Sequence, residues 1–270
     1  MIPIAVGEIA MRFMALFERV RPRALALLGL TAICLAASPA YAGPPFITDD
    51  PEPVDLGHWE VYGFSAGVHT AGDTAGTLGG IEVNYGAAPN LQLHVIAPIA
   101  FDHPAGARQE TGLGDTEFGA KYRFVTPGEH DWFPQVGVFP LIEAPTGDAA
   151  RGLGAGQTRV YLPVWLQKDV GKWTTYGGGG YWINPGPGNR NYWFAGWLVQ
   201  NQVTDNLALG VEAFHQTAQT IGGKESSGFN VGAVYDFNAH YHLLLSAGRG
   251  LQDAPASNDF SYYLAIQHTF

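Results

Sequence analysis

Charged side chains recur at alternate positions in several stretches of this chain. Glu117, Lys121 and Arg123 interleave with Thr116, Phe118, Ala120, Tyr122 and Phe124. Arg159, Tyr161 and Gln167 alternate with Val160, Leu162, Val164 and Leu166, and Gln92 and His94 with Leu91, Leu93 and Val95. Such groups can transfer protons, ligate metals or sort solutes by charge. Catalysis needs a base beside a nucleophile, and no histidine here is followed two residues later by serine: Ala71 follows His69 and Thr217 follows His215. The pair Asp49-Asp50 could hold calcium, but Asp before Pro51 is ordinary turn chemistry. His240 and His242 could share a metal at strand spacing, and a turn beside a strand start accounts for them equally. Gly152–Gly156 and Gly177–Gly180 do not lie between a strand and a helix, so neither qualifies as a phosphate loop. The reading is therefore no enzyme, no metal and no cofactor. What remains is electrostatic sorting, and that depends on where the two alternating faces point.

A period of two places successive side chains on opposite faces of a β-strand. Twelve segments carry it, cut by Gly, Pro, Asn and Asp clusters: 58–69, 79–87, 91–101, 115–125, 133–143, 157–168, 172–183, 190–202, 206–217, 227–237, 241–250 and 259–270. The segments 172–183 and 190–202 have Trp and Tyr on both parities, so their faces stay open. Most segments reach the roughly 9–11 residues that a tilted strand needs to cross a bilayer, whereas soluble strands cluster near about 5–6. Connections alternate in length. Ala88-Pro89-Asn90, Asp169-Val170-Gly171, Val203-Thr204-Asp205 and Asn238-Ala239-His240 are tight; Asp102–Gly114, Ala144–Gly156, Ala218–Ser226 and Leu251–Asn258 are long. Thr126–Trp132 is the exception. Short turns at one end and long loops at the other mark a membrane barrel, and a sandwich has no reason to show them.

Composition agrees. Charged residues are 14% of the chain, aromatic residues 13%, and glycines number 36; soluble domains carry about 25% charge. Arg12, Arg19, Arg21 and Arg23 precede the apolar run Ala24–Ala37 and an Ala-x-Ala site ending at Ala42. That is a secretory signal peptide, and it removes the sole cysteine, Cys34. The net charge of −10 argues against nucleic acid, which rewards basic patches. The expected organisation is a signal peptide at 1–42, a periplasmic proline-rich leader at 43–57, and a barrel at 58–270.

The fold expected is all-β, a 12-stranded antiparallel transmembrane β-barrel of the outer-membrane type. A lipid-facing Arg or Lys costs about 2–4 kcal/mol at the bilayer midplane, so the polar parity must line the lumen. The expected lumen-lining and selectivity residues are Glu82, Asn84, Gln92, His94, Glu117, Lys121, Arg123, Arg159, Tyr161, Glu212 and Gln267. Trp59, Tyr62, Phe101, Phe124, Trp132, Phe133, Trp173, Trp182, Trp193, Trp197, Tyr241 and Phe260 suit aromatic girdles at the two interfaces, and equally a path for aromatic or greasy solutes, with the girdle the reading taken for most. The last strand, Asn258–Phe270, ends on Phe270, the kind of terminal aromatic that the outer-membrane barrel assembly machinery recognises. Partners expected are that machinery, outer-membrane lipid and a small-molecule solute, in the cell outer membrane of a Gram-negative bacterium.

Several stretches carry a family likeness: Pro45-Phe46-Ile47-Thr48-Asp49-Asp50-Pro51 leading to Gly57-His58-Trp59-Glu60, Gly112-Leu113-Gly114-Asp115-Thr116 with Lys121-Tyr122-Arg123-Phe124, and Ala144-Pro145-Thr146-Gly147-Asp148. With Phe270 they resemble the outer-membrane proteins linked to the meta-pathway of phenol degradation, over essentially the whole chain after the signal. The resemblance implies a barrel that passes hydrophobic or aromatic compounds inward, and it supplies no catalytic residues. The function expected is passive passage of small solutes, aromatic or hydrophobic ones among them. The alternatives are a closed structural or surface-interaction barrel acting through its external loops and, more remotely, a lipid-modifying enzyme.

Overall fold

The structure, a computed structural model, describes residues 44–128 and 132–270; the expected signal peptide lies outside the described residues. Among the described residues fourteen strands form one sheet that closes on itself. In chain order they are β1 (Trp59–His69), β2 (Asp73–Ala88), β3 (Leu91–Pro104), β4 (Glu110–Leu113), β5 (Thr116–Val125), β6 (Gln135–Val138), β7 (Leu141–Ala144), β8 (Arg159–Val170), β9 (Trp173–Ile183), β10 (Tyr192–Thr204), β11 (Leu207–Gln216), β12 (Ser226–Asp236), β13 (Tyr241–Gln252) and β14 (Phe260–Thr269).

Every pairing is antiparallel, and β1 closes the ring on β14 from Glu60 opposite Thr269 to His69 opposite Phe260. The strands β6 and β7 are two halves of one stave, because both pair with β5 on one side and β8 on the other. Between them lie Phe139 and Pro140, and proline has no N–H to give a ladder. The short β4 pairs only with the distal part of β3, Ile99–Asp102, and folds into a hairpin beyond the wall. The wall is thus a closed barrel of twelve staves, as the alternation required. Among the described residues no helix is long and apolar enough to cross a membrane, so the strands do the crossing.

The faces are inverted relative to a soluble barrel. Leu93, Phe118, Leu162, Val211, Val231 and Leu264 are about half exposed on the outer surface, while Glu82, Asn84, Gln92, Lys121, Gln167, Glu212 and Gln267 are buried inside. Only a hydrocarbon solvent makes that arrangement favourable, since every backbone N–H and C=O within a closed ring finds a neighbour and the apolar side chains meet lipid. Strand parity also resolves the two open segments: Tyr176 on β9 and Tyr192, Phe194 and Leu198 on β10 are buried, and Trp193, Trp197 and Val199 are exposed.

Three residues expected in the aromatic girdles turn inward. Tyr62 is buried, its hydroxyl donating to Glu60 at 2.7 Å and accepting from Gln267 at 2.9 Å. Phe101 is buried beneath the external loops. Trp182 stacks between Tyr161 at 4.7 Å and Tyr192 at 5.9 Å. Trp59, Phe124, Trp132, Phe133, Trp173, Trp193, Trp197, Tyr241 and Phe260 do lie exposed on the outside.

Candidate functional site

The interior is crossed by the segment that precedes β1. Residues 44–56 form no strand of the wall, yet Thr48 and Asp50 are fully buried and Phe46 nearly so. This leader contains four prolines, Pro44, Pro45, Pro51 and Pro53, which suppress strand formation and leave its backbone N–H and C=O groups for other partners. It enters beside β2, where Gly57 donates to the carbonyl of Gly86 at 2.8 Å. Val54 N–H then reaches Gln92 on β3 at 3.0 Å. Glu52 accepts from Gln167 on β8 at 3.0 Å and from Arg123 on β5 at 3.4 Å.

At mid-barrel the leader is held from two opposite walls. On one side the Lys121 ammonium lies 2.9 Å from Asp49 and 3.4 Å from Asp50. On the other the Glu212 carboxylate accepts from the backbone N–H of Thr48 at 2.5 Å and of Ile47 at 3.3 Å, and from Asn230 at 2.6 Å. A buried carboxylate satisfied by backbone donors and an amide is a strong fixed anchor. Beyond it, Ser246 on β13 donates to the carbonyl of Pro45 at 2.5 Å. Phe46 packs with Tyr176 and Leu198.

Three inner-face glycines on neighbouring staves make the room. A Cβ on Gly196 would stand 1.9 Å from the Thr48 hydroxyl, and one on Gly210 or Gly232 would stand 2.7 or 2.8 Å from the Phe46 ring. The groove in which the leader lies is therefore written into β10, β11 and β12.

Above this bar the lumen widens into a cavity of about 520 Å³ under the external loops. Its wall mixes apolar residues, Phe64, Ile96, Pro98, Phe101 and Leu153, with charged ones, Asp115, Glu117, Glu143 and Arg159. Arg159 is ion-paired to Glu143 and lies 5.5 Å over the Trp182 ring. The 144–156 loop roofs the cavity: Asp115 accepts from Gly147 N–H at 2.9 Å and Ala155 N–H at 2.7 Å, and Leu153 is buried. The glycines there serve this tight packing and not a phosphate.

The residues expected to line the lumen fall into three groups and one lone residue, Gln267. Lys121, Arg123, Gln92 and Glu212 grip the leader. Glu82, Asn84, His94 and Glu117 form one hydrogen-bonded cluster on the β2–β3–β5 wall. Arg159 and Tyr161 belong to the upper aromatic wall, and Gln267 supports Tyr62 on the far side. Asp49 and Asp50, considered for calcium, take an ammonium instead. His240 and His242 diverge: His242 is fully buried against Asp236 at 2.7 Å, whereas His240 is exposed and bonds the Thr269 carbonyl. Phe270 lies exposed at the rim, with its ring 4.9 Å from His268 and its N–H donating to Trp59.

Arg159 carries a direct prediction. Replacing it with alanine leaves Glu143 facing the cavity without its guanidinium, so the mouth gains net negative charge. Arg159→Ala should raise the potassium-to-chloride permeability ratio by about twofold, read as a reversal-potential shift in a salt gradient. An unchanged reversal potential would mean that the permeating ions do not pass Glu143.

Solved structures of similar fold include channels and porins. An outer-membrane channel of Pseudomonas putida F1 superposes with a TM-score of 0.67 at 20% identity, covering 82% of this chain and 98% of that one. The KdgM porin gives 0.54 at 9% identity, covering 78% and 99%, and the NanC porin 0.52 at 10%, covering 78% and 98%. At these identities the likeness establishes the barrel fold. No curated protein matches the sequence. Residues 58–264, most of the chain, match the family described as "Putative MetA-pathway of phenol degradation", and the protein belongs to that family.

Proposed function

We propose that this protein is a passive outer-membrane channel, in a Gram-negative bacterium, for small solutes of hydrophobic or aromatic character, with the leader as its closure. The observation that carries the reading is the half-apolar cavity above a bar anchored by side chains. A wide hydrophilic pore has no use for Phe64, Pro98, Phe101 and Leu153 around its mouth, and a solid structural barrel has no use for a cavity of about 520 Å³. That volume lies in the range, about 300–1,000 Å³, of sites that enclose small organic molecules. The similar structures are themselves called channels or porins, which supports passage as opposed to catalysis. Outer-membrane lipid and the barrel assembly machinery, through Phe270, are the macromolecular partners of this reading.

The test uses cells whose outer membrane excludes a fluorescent aromatic probe such as 1-N-phenylnaphthylamine. Expression of the protein should raise the probe's entry rate by about threefold or more. Glucose entry into liposomes bearing the purified protein should stay near the protein-free rate. Equal probe entry with and without the protein would overturn the reading.

A further inference from the structure

The wall cluster beside the bar contains a histidine whose two ring nitrogens both face acceptors. His94 Nδ1 lies 2.7 Å from Asn84 Oδ1, and Nε2 lies 3.0 Å from a Glu117 carboxylate oxygen. The Asn84 amide cannot be turned to offer its nitrogen, because that nitrogen already donates to Glu82 at 2.9 Å. A neutral imidazole has one N–H and would leave one of these contacts as two lone pairs facing each other. With Glu82 and Glu117 ionised, only the imidazolium satisfies both. His94, Glu82 and Asn84 are each less than a tenth exposed, so no bulk water stands in for the missing proton.

The cluster is wired to the leader. Glu82 approaches His94 Nδ1 at 3.6 Å from β2, and Glu117 holds Nε2 from β5. The Phe139 ring stands edge-on to His94 at 5.2 Å and carries Lys121 Nζ on its face at 5.0 Å. Gln92 is opposite Lys121 and His94 is opposite Gly119, which places His94 and Lys121 as diagonal neighbours on the same inner face. The charged groups around His94 are therefore Glu82, Glu117 and Lys121 on the wall, with Asp49 and Asp50 of the leader beyond Lys121.

We infer that His94 is a doubly protonated cation whose deprotonation loosens the leader, making the channel open as pH rises. This rests on the leader being the closure. With the imidazolium present, Glu82 and Glu117 are neutralised in place and Lys121 is left to Asp49 and Asp50. Once the proton is lost to solvent, two carboxylates remain with no cation between them. Of the cations left on that face, Arg159 is already paired to Glu143 opposite Glu117, and Lys121, the diagonal neighbour of His94, is the one that the carboxylates draw away from the leader. Sign and direction agree: the closing interaction is present when His94 is protonated and is lost as pH rises through its titration.

Two measurements on the intact protein test this. Nitrogen NMR of the histidine rings at neutral pH should show N–H at both His94 positions, and a neutral tautomer there would overturn the assignment. Potassium chloride conductance in planar bilayers, scanned from about pH 5 to about pH 9, should rise about threefold or more through the titration that NMR reports. His94→Gln, which carries no charge, should be conductive and flat over the same range. Wild-type conductance that stays flat while His94 titrates would refute the coupling. Lys121→Met separates the two ideas: if it does not raise conductance at any pH, the leader is not the closure, whatever state His94 holds.

Discussion

Removal of residues 43–54 from the exported protein should raise single-channel conductance by roughly tenfold and abolish its dependence on Lys121. The bar crosses the lumen from Gln92 and Lys121 to Glu212 and Ser246, so its loss clears the mid-barrel. A twelve-stave ring is wider than the eight-strand size that side chains alone can fill. The wall does not need the leader, because its ladder is continuous through the β1–β14 pairing. Lys121, Arg123 and Glu212 would then face water in an open lumen, where charge costs little, so the barrel should still show the heat-modifiable migration of a folded outer-membrane protein on gels. Full-size barrels with unchanged low conductance would show that the constriction lies elsewhere, with the loop roof around Leu153 the next place to look.

Much of the wall was legible because alternation is a local property. The segment expected at 58–69 is β1 at Trp59–His69, and that expected at 172–183 is β9 at Trp173–Ile183. The stave expected at 133–143 hides its interruption, since the period of two runs unbroken through Phe139 and Pro140. Only the register shows Phe139 and Pro140 lying across from Leu162 and Pro163, so two residues in one small patch lack an N–H. The expected loop Asp102–Gly114 conceals β4 because β3 continues to Pro104, beyond the stretch that alternates.

The bar was the least legible part, for a physical reason. Residues 43–56 have no periodicity, and their partners lie far away along the chain: Asp49 and Lys121 are 72 residues apart, Thr48 and Glu212 are 164 apart. Two signals did exist. Lys121 and Arg123 form a cationic pair on an inner face that must be dry or balanced, and the leader is the acidic, unstructured segment nearest the barrel. Gly196, Gly210 and Gly232 share the inner parity of three adjacent staves, which is the signature of something lying against them.

The second large effect separates charge from shape in the anchoring of the bar. Lys121→Met keeps the side-chain length and the packing on Phe139 but leaves Asp49 and the fully buried Asp50 without a cation. Breaking a buried pair in this way costs about 3–5 kcal/mol, enough to shift a seated-to-released equilibrium by roughly a hundredfold or more. The variant should therefore conduct nearly as well as the protein lacking residues 43–54. Lys121→Arg should stay closed, since a guanidinium can still reach both carboxylates. The decisive variant combines Lys121→Met with Asp49→Asn and Asp50→Asn. If the bar is released because two carboxylates are stranded in the lumen, neutralising them should seat it again and return conductance toward the wild-type value. This non-additivity is what coupled neighbours show and independent sites do not. A triple variant as open as Lys121→Met alone would mean that the ammonium holds the bar by a contact which amides cannot replace. The bar would then owe its seating to Lys121 itself, with Glu212 and the glycine groove unable to hold it alone.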